Sequence, residues 1–132
     1  MKIALTVWGN RISPVFDAAG TLLLADIRNQ KVSEKKYEMF NPEAPVRLVE
    51  RLIELEVEIL ITGAISQRPA SVIESGGVRL IPFICGRVSR ALELCAGDSS
   101  LVLKMRMPGC RFLNSGFRGV EVKETDRERR LK

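Results

Sequence analysis

Three cysteines are the residues of this chain best suited to bind a metal, because a thiolate is a soft ligand. Cys85, Cys95 and Cys110 are spaced ten and fifteen residues apart, and the sequence contains no histidine. This odd set without a Cys-x-x-Cys pair fits neither a disulfide framework nor a structural zinc site. Iron-sulfur clusters usually take four protein ligands, so one or two thiolates suit a preassembled metal-sulfur cluster better than the building of one.

The three cysteines differ in their predicted surroundings. Cys95 lies on the apolar stripe of a predicted helix over residues 86–96, which predicts a buried structural side chain. Cys85 lies between a predicted strand and the N-terminus of that helix, where a thiol can face a ligand. Cys110 lies among basic residues near the C-terminus. We therefore predict a metal or redox role for Cys85 and a metal role for Cys110.

Catalysis has little support in the sequence. Without histidine there is no Ser/His/Asp or Cys/His arrangement, and the first predicted strand has no carboxylate for a two-metal nuclease centre. Asp17 and Asp26 are expected to have structural or solvated roles. We predict that the protein is not an enzyme, and an enzyme acting on a small anionic substrate is the least favoured alternative.

The apolar pattern predicts five strands. Residues 3–8 form an uncharged run, typical of a strand covered on both faces. Two further runs are separated by Asn29-Gln30, which predicts a hairpin, and the mixed charges of the second run predict an edge strand. The other four predicted strands are residues 21–27, 31–40, 58–62 and 78–83.

Three helices are predicted between and after these strands. The first is preceded by Asn41, predicted as its side-chain cap, and by two prolines. It ends near Leu55 and has apolar residues at three- and four-residue spacing. The second runs from Arg68-Pro69 to Gly76-Gly77, and the third covers residues 86–96, with Gly97 as a left-handed terminator.

This order of elements predicts an α/β protein with a five-stranded mixed sheet. Right-handed crossovers favour the strand order 3-2-1-4-5 with strand 2 antiparallel to the rest. This is the order of the ribonuclease H-like architecture, in which helices cover both faces of the sheet in a three-layer α/β/α arrangement.

Three loops follow the carboxyl ends of the parallel strands and should lie along one edge of the sheet, where α/β proteins bind ligands. They cover residues 9–17, 63–67 and 84–87. Two precede helix N-termini, which favour anions, although the glycines could serve only as strand-to-helix turns. The candidate binding residues of the three loops are Asn10, Arg11, Ser13, Gly63, Ala64, Gly86 and Arg87.

The net charge of +5 comes from the C-terminal segment. Residues 1–103 contain 12 Lys/Arg and 12 Asp/Glu, whereas residues 104–132 contain 9 and 4. We predict a single domain over residues 1–103 and a basic extension over residues 104–132. A neutral domain makes a nucleic-acid-binding surface unlikely on the domain itself, although the extension could attract an acidic partner or nucleic acid.

Several fragments together resemble a known family. They are Lys2-Ile3-Ala4, Gly9 to Arg11, Ile12-Ser13-Pro14-Val15-Phe16, Ala25-Asp26-Ile27, Ile61-Thr62-Gly63-Ala64-Ile65, and the stretch from Glu74 through Gly86 to Gly97. Over roughly residues 1–103 the chain resembles the dinitrogenase iron-molybdenum cofactor biosynthesis family, a nitrogenase accessory factor-like group. Val15 stands where relatives often have a histidine, and Met-Pro-Gly-Cys110 is similar to an extension of some relatives.

The resemblance implies a ribonuclease H-like fold and a role without chemistry of its own. Such a protein would carry or insert an iron-molybdenum cofactor precursor or a related metal-sulfur cluster, and would meet a cofactor-delivery protein. The short apolar runs predict no membrane span, and we expect a cytoplasmic protein. The alternative function is a regulatory or interaction module whose basic tail binds an acidic partner or nucleic acid.

Overall fold

The computed structural model describes residues 1–108. Within these residues, six strands and three α-helices are joined by short loops and two 3-10 helices. The strands are β1 (Lys2–Trp8), β2 (Arg11–Ile12), β3 (Thr21–Arg28), β4 (Lys31–Met39), β5 (Val57–Ile61) and β6 (Arg79–Ile81). The α-helices are α1 (Pro45–Glu54), α2 (Gln67–Ser75) and α3 (Val88–Gly97), and the 3-10 helices are Phe16–Ala18 and Ser99–Met105.

The sheet is mixed and has the order β4-β3-β1-β5-β6. β3 is antiparallel to both β1 and β4, whereas β5 is parallel to β1 and to β6. The five long strands thus follow the order expected from the sequence, with β4 at the border. The sheet has a sixth strand that the sequence analysis missed, because β2 pairs with the end of β1. Assignment to the ribonuclease H-like class stays a prediction.

Alternate residues of β1 enter two different cores. Ile3, Leu5 and Val7 pack on the face covered by α3, together with the buried Cys95. Ala4 packs on the opposite face, where α1 and α2 contribute buried residues such as Leu52 and Ile73. Helices therefore cover both faces of the sheet, which explains why β1 carries no charge between its ends.

Local features of the chain explain several boundaries. Asn29 and Gln30 form the turn between β3 and β4, both with positive φ, at 52° and 61°, as type I′ hairpins require. Gly77, with φ of 92°, follows the end of α2. Gly97 was expected to be a left-handed terminator, and this was wrong: it is the last residue of α3, and Asp98 after it is extended with φ of −166°.

Two predicted element boundaries also need correction. Asn41 does not cap α1, since its Oδ1 accepts a hydrogen bond from the Glu43 amide at 2.9 Å and the helix begins later, at Pro45. The last strand, β6, covers only Arg79–Ile81 and not residues 78–83. The residues after it turn instead toward the ends of β1 and β5.

Candidate functional site

The carboxyl ends of β1, β5 and β6 meet at one edge of the sheet. We call residues 9–17, 62–67 and 82–87 at this edge the loop edge. Backbone hydrogen bonds connect each of these three segments to the other two. The predicted convergence of the loops is therefore present, and their mutual contacts decide which predicted residues remain accessible.

The first and second segments are in direct backbone contact. The Phe16 amide donates to the Ala64 carbonyl oxygen at 2.7 Å, and the Ala64 amide donates to the Pro14 carbonyl oxygen at 2.8 Å. A side chain at Gly63 would place its Cβ 2.5 Å from the Pro14 carbonyl oxygen and closer still to that of Ser13. Glycine is thus required at position 63 by this close approach and not by φ.

The second and third segments join through two further backbone bonds. The Phe83 amide donates to the Gly63 carbonyl oxygen and the Ile84 amide to that of Thr62, both at 3.0 Å. Phe83 is buried and has φ of 64°, a conformation that costs a non-glycine residue roughly 1–3 kcal/mol. The hydroxyl groups of Thr6 and Thr62 lie 2.7 Å apart in the buried layer beneath.

The first and third segments form a short antiparallel bridge that pairs Arg11 with Arg87. The Ile12 amide donates to the Gly86 carbonyl oxygen, and the Val88 amide donates to the Asn10 carbonyl oxygen, both at 2.9 Å. These bonds flank the two arginines, which makes them a non-hydrogen-bonded pair. In such a pair the Cα atoms are about 4.5 Å apart and the side chains lie on the same face.

A tight hairpin extends this row of side chains. Trp8 in β1 pairs with Arg11 in β2, and only Gly9 and Asn10 separate them. Gly9 has φ of 64°, which fits a type II′ turn with glycine first. Trp8 is 75% exposed. The sequence analysis treated these residues as a loop, although Gly-Asn between two candidate strand residues is a hairpin signal that could have placed Trp8 at the site.

The predicted binding residues divide by exposure. Asn10, Arg11 and Arg87 are exposed, whereas Ser13 and Gly63 are buried. The Ser13 side chain serves the loop itself, because its hydroxyl donates to the Val15 carbonyl oxygen at 3.1 Å. The remaining two, Ala64 and Gly86, are partly buried.

One amide at the start of each of the two helices that leave this edge has a partner within the protein. The Asp17 carboxylate accepts hydrogen bonds from the Ser66 amide at 3.3 Å and the Ser66 hydroxyl at 3.0 Å, immediately before α2. At α3, the Val88 amide is bound to Asn10. Asp17 thus supplies the negative charge that favours a helix N-terminus, which gives this residue the structural role expected of it. An external anion would meet the arginines instead.

The cysteines differ as strongly as their sequence positions suggested. Cys95 is buried, and this burial raises the pKa of its thiol to about 11, which confirms its place in the core. Cys85 is exposed at the loop edge. Cys110 lies outside the described residues, and its role stays a prediction. Among residues 1–108, no group of three or more His, Cys, Asp or Glu side chains could hold a metal ion.

The start of the predicted C-terminal extension packs against the loop edge. The Cys85 amide donates to the Met105 carbonyl oxygen at 2.9 Å, and the Met107 amide donates to the Phe83 carbonyl oxygen at 2.6 Å. The division at residue 103 and the alternative role of a basic tail stay predictions, since most of residues 104–132 lie beyond the described part. Residues 105–107 nevertheless pack beside Cys85.

The charges of Arg11 and Arg87 are not neutralised within the described part of the chain. Neither residue has an ion pair or a side-chain hydrogen bond there. Two like charges repel each other, and water weakens this repulsion to about 1 kcal/mol or less. The loop edge therefore presents two adjacent positive charges beside an exposed indole and near an exposed thiol.

None of the helices within residues 1–108 is long and apolar enough to cross a membrane.

Comparison with known proteins gives a family and a fold. A sequence profile described as dinitrogenase iron-molybdenum cofactor matches residues 1–96. A solved protein from Methanocaldococcus jannaschii, provisionally named a dinitrogenase, is 16% identical with a TM-score of 0.61, over 75% of this chain and 90% of that one. A Thermotoga protein, provisionally named NifB and assigned to the DUF35 family, is 18% identical with a TM-score of 0.58, over 74% and 89%. At these identities, the two structures support the fold alone. No curated protein matches the chain.

Proposed function

The chain belongs to the dinitrogenase iron-molybdenum cofactor family, and from this premise we propose that it is a small non-catalytic carrier or accessory protein. Its cargo is a metal-sulfur cluster that contains molybdenum or iron, or a precursor of that cofactor, bound at the loop edge. The observation that carries this proposal is the pairing of Arg11 with Arg87 on an exposed surface. Clusters rich in sulfide are anions, and adjacent guanidinium groups bind anions through charge-assisted hydrogen bonds.

The ligand set fits transport of a cluster better than its assembly. Cys85 offers one exposed thiol at the loop edge, whereas iron-sulfur clusters usually take four protein ligands. Arginine side chains can hold a finished anionic cluster without contributing metal ligands. A cargo held by one sulfur and by surface charge can also be released to a cofactor-delivery protein, and Cys110 would add a second sulfur.

Few side chains at the loop edge could act as a general acid or base, which supports a role without catalysis. The sequence has no histidine, and the Asp17 carboxylate is engaged with Ser66 before α2. A general acid or base must be free to exchange a proton with a substrate. The groups that remain exposed at this edge are suited to binding.

Anaerobic loading tests the proposal. The full chain is purified anaerobically from a metal-replete culture, or is incubated with tetrathiomolybdate alone and with tetrathiomolybdate and iron together, and is then separated from free metal. We expect a visible absorption band and stoichiometric metal, and we expect Cys85→Ser to lower the retained metal at least several-fold. Cys95→Ala serves as the matched control, since Cys95 is buried and its removal should leave loading unchanged. Absence of metal uptake under every condition would refute the carrier role.

A further inference from the structure

We infer that Arg11 and Arg87 together bind one tetrahedral dianion, the chemical class that includes molybdate, tetrathiomolybdate, sulfate and phosphate. This inference rests on the proposed function, since it specifies which group of the cargo the loop edge recognises. Arg11 and Arg87 bind the anion between their guanidinium groups, beside the exposed ring of Trp8.

The backbone fixes the spacing of the two arginines before any ligand arrives. The bonds from the Ile12 amide to Gly86 and from the Val88 amide to Asn10 hold the two chain segments in register. Since Arg11 and Arg87 are directly opposite in that register, their side chains leave the same face only one strand spacing apart. Both are also exposed, so the guanidinium groups can close on a ligand without rearranging the loops.

Like charges directly opposite each other destabilise a strand pair. The hairpin of β3 and β4 also has two such pairs, Asp26 with Glu34 and Arg28 with Lys31, but there Asp26 and Arg28 neutralise each other. Arg28 lies 2.9 Å from the Asp26 carboxylate, and Arg51 contacts the carboxylates of Glu38 and Glu54. Within residues 1–108, Arg11 and Arg87 have no carboxylate partner. An anion between them would replace their mutual repulsion by two attractions.

The shape and charge of the guanidinium pair select the ligand class. Each guanidinium group is planar and presents parallel N–H donors that match two acceptor atoms at a time. A tetrahedral anion has two opposite edges, each with two acceptor atoms, so one anion can serve both arginines. A charge of −2 neutralises the pair, whereas a monoanion leaves one positive charge. The site is open to solvent, so the acceptor atoms can equally be the terminal oxo or thio atoms of a larger cluster.

Calorimetric titration of the full chain with molybdate, tetrathiomolybdate, sulfate and phosphate tests this inference, with perchlorate as a tetrahedral monoanion. We expect one saturable site per chain for the dianions and at least tenfold weaker binding of perchlorate. Arg11→Gln and Arg87→Gln should each weaken dianion binding at least tenfold. Arg11→Lys should retain part of the affinity, because it keeps the charge and loses the planar fork.

Arg47→Gln is the matched control, since Arg47 is an exposed arginine on α1 that also lacks an ion pair among residues 1–108, and its neighbour on the helix, Arg51, is neutralised by Glu38 and Glu54. Equal weakening by Arg47→Gln, or no saturable dianion binding by the parent chain, overturns the inference. Tighter binding of the molybdenum anions than of sulfate and phosphate supports a cargo-specific site. Equal affinities support the dianion site with an ordinary inorganic ligand.

The loading test above fails independently of this one. Cys95→Ala should leave dianion binding unchanged, because Cys95 is buried in the core and belongs to neither site. A chain that binds dianions and takes up no cluster would refute the carrier role and retain the arginine site. If the Arg11→Gln and Arg87→Gln variants load a cluster as well as the parent chain, the carrier role is retained and the arginine pair is not what holds the cargo.

Discussion

At the amino end of β1, the ammonium group of Met1 donates to the Ile27 carbonyl oxygen at 2.8 Å and lies 3.7 Å from the Asp26 carboxylate, which also pairs with Arg28. At the carboxyl end, Arg11 and Arg87 face each other. At the amino end, the nearly buried Asp26 carboxylate is thus neutralised by two cations, whereas the carboxyl end presents two like charges to solvent. Charge at one end stabilises the fold, and charge at the other is available to a ligand.

The two ends also differ in surface shape, and it is the amino end that has a cavity. A cavity of about 310 Å³ lies toward the amino end, where Lys2, Asp26 and Val57 contribute to its lining. At the loop edge, by contrast, the backbone segments are in close contact, as at Gly63. The cavity has a lining of mixed charge, with Asp26 and Glu34 beside Lys2, Lys35 and Lys36. The two facing arginines are therefore the better candidate for binding a large anion.

The largest effect is expected from filling the close contact at the carboxyl end. Gly63→Ala would force its Cβ against the carbonyl oxygens of Ser13 and Pro14. We expect a loss of roughly 2–4 kcal/mol in the free energy of unfolding, because two backbone segments would have to separate. Denaturant unfolding measures this change.

Gly20→Ala is the matched glycine control for that experiment. A Cβ at Gly20 would meet nothing within 4 Å, and its φ lies outside the left-handed range. We expect a change within about 0.5 kcal/mol. A similar cost at both positions would show that the loop edge is not the rigidly packed region described above.

Removing one arginine from each end should change the free energy of unfolding by a smaller amount, and differently at the two ends. Arg28→Gln removes the closest partner of the nearly buried Asp26 carboxylate and should lower the free energy of unfolding by about 1 kcal/mol. Arg11→Gln should leave it unchanged or raise it by up to about 0.5 kcal/mol, because a like-charge repulsion is relieved. Unfolding at low and high salt checks this, since added salt should shrink both effects. Equal destabilisation by the two variants would remove the contrast between the ends.

The smallest effect concerns an ion pair that belongs to neither end. Arg51 donates to the Glu38 carboxylate at 2.5 and 3.1 Å, which lowers the pKa of Glu38 below its ordinary value of 4.5. A lowered pKa in the folded state stabilises the protein above the ordinary value, and this contribution is lost as the pH falls through the folded-state value. We expect the stability advantage over Glu38→Gln to shrink as the pH falls below 4.5 and to be lost once the carboxyl is protonated in the folded state. An advantage that does not depend on pH would contradict the assignment.

The order of the long strands could be predicted from the sequence because it rests on local signals and a chirality rule. The uncharged run of β1 indicated a strand covered on both faces, and Asn29-Gln30 indicated the hairpin between β3 and β4. Glycine at a helix end proved a weaker signal. Gly97 is still helical, and the chain becomes extended only at Asp98. No local sequence pattern indicated this boundary.

The sequence predicted that the three loops converge, but not how they contact one another. Arg11 and Arg87 were named separately, yet their pairing depends on a bridge between segments 76 positions apart in the sequence. The hydrogen bond between Ser66, before α2, and Asp17 spans 49 positions, and Phe83 adopts positive φ against its own preference. These are tertiary contacts, so neither composition nor periodicity could reveal them.

Trp8 gives the loop edge an optical reporter of its own. It is the only tryptophan in the sequence, it is 75% exposed, and it is paired with Arg11. Its fluorescence therefore arises at the surface where a cargo would sit, and a coloured cluster bound nearby would accept its excitation energy and quench the emission. Arrival and departure of such a cargo can thus be followed in real time without attaching any label.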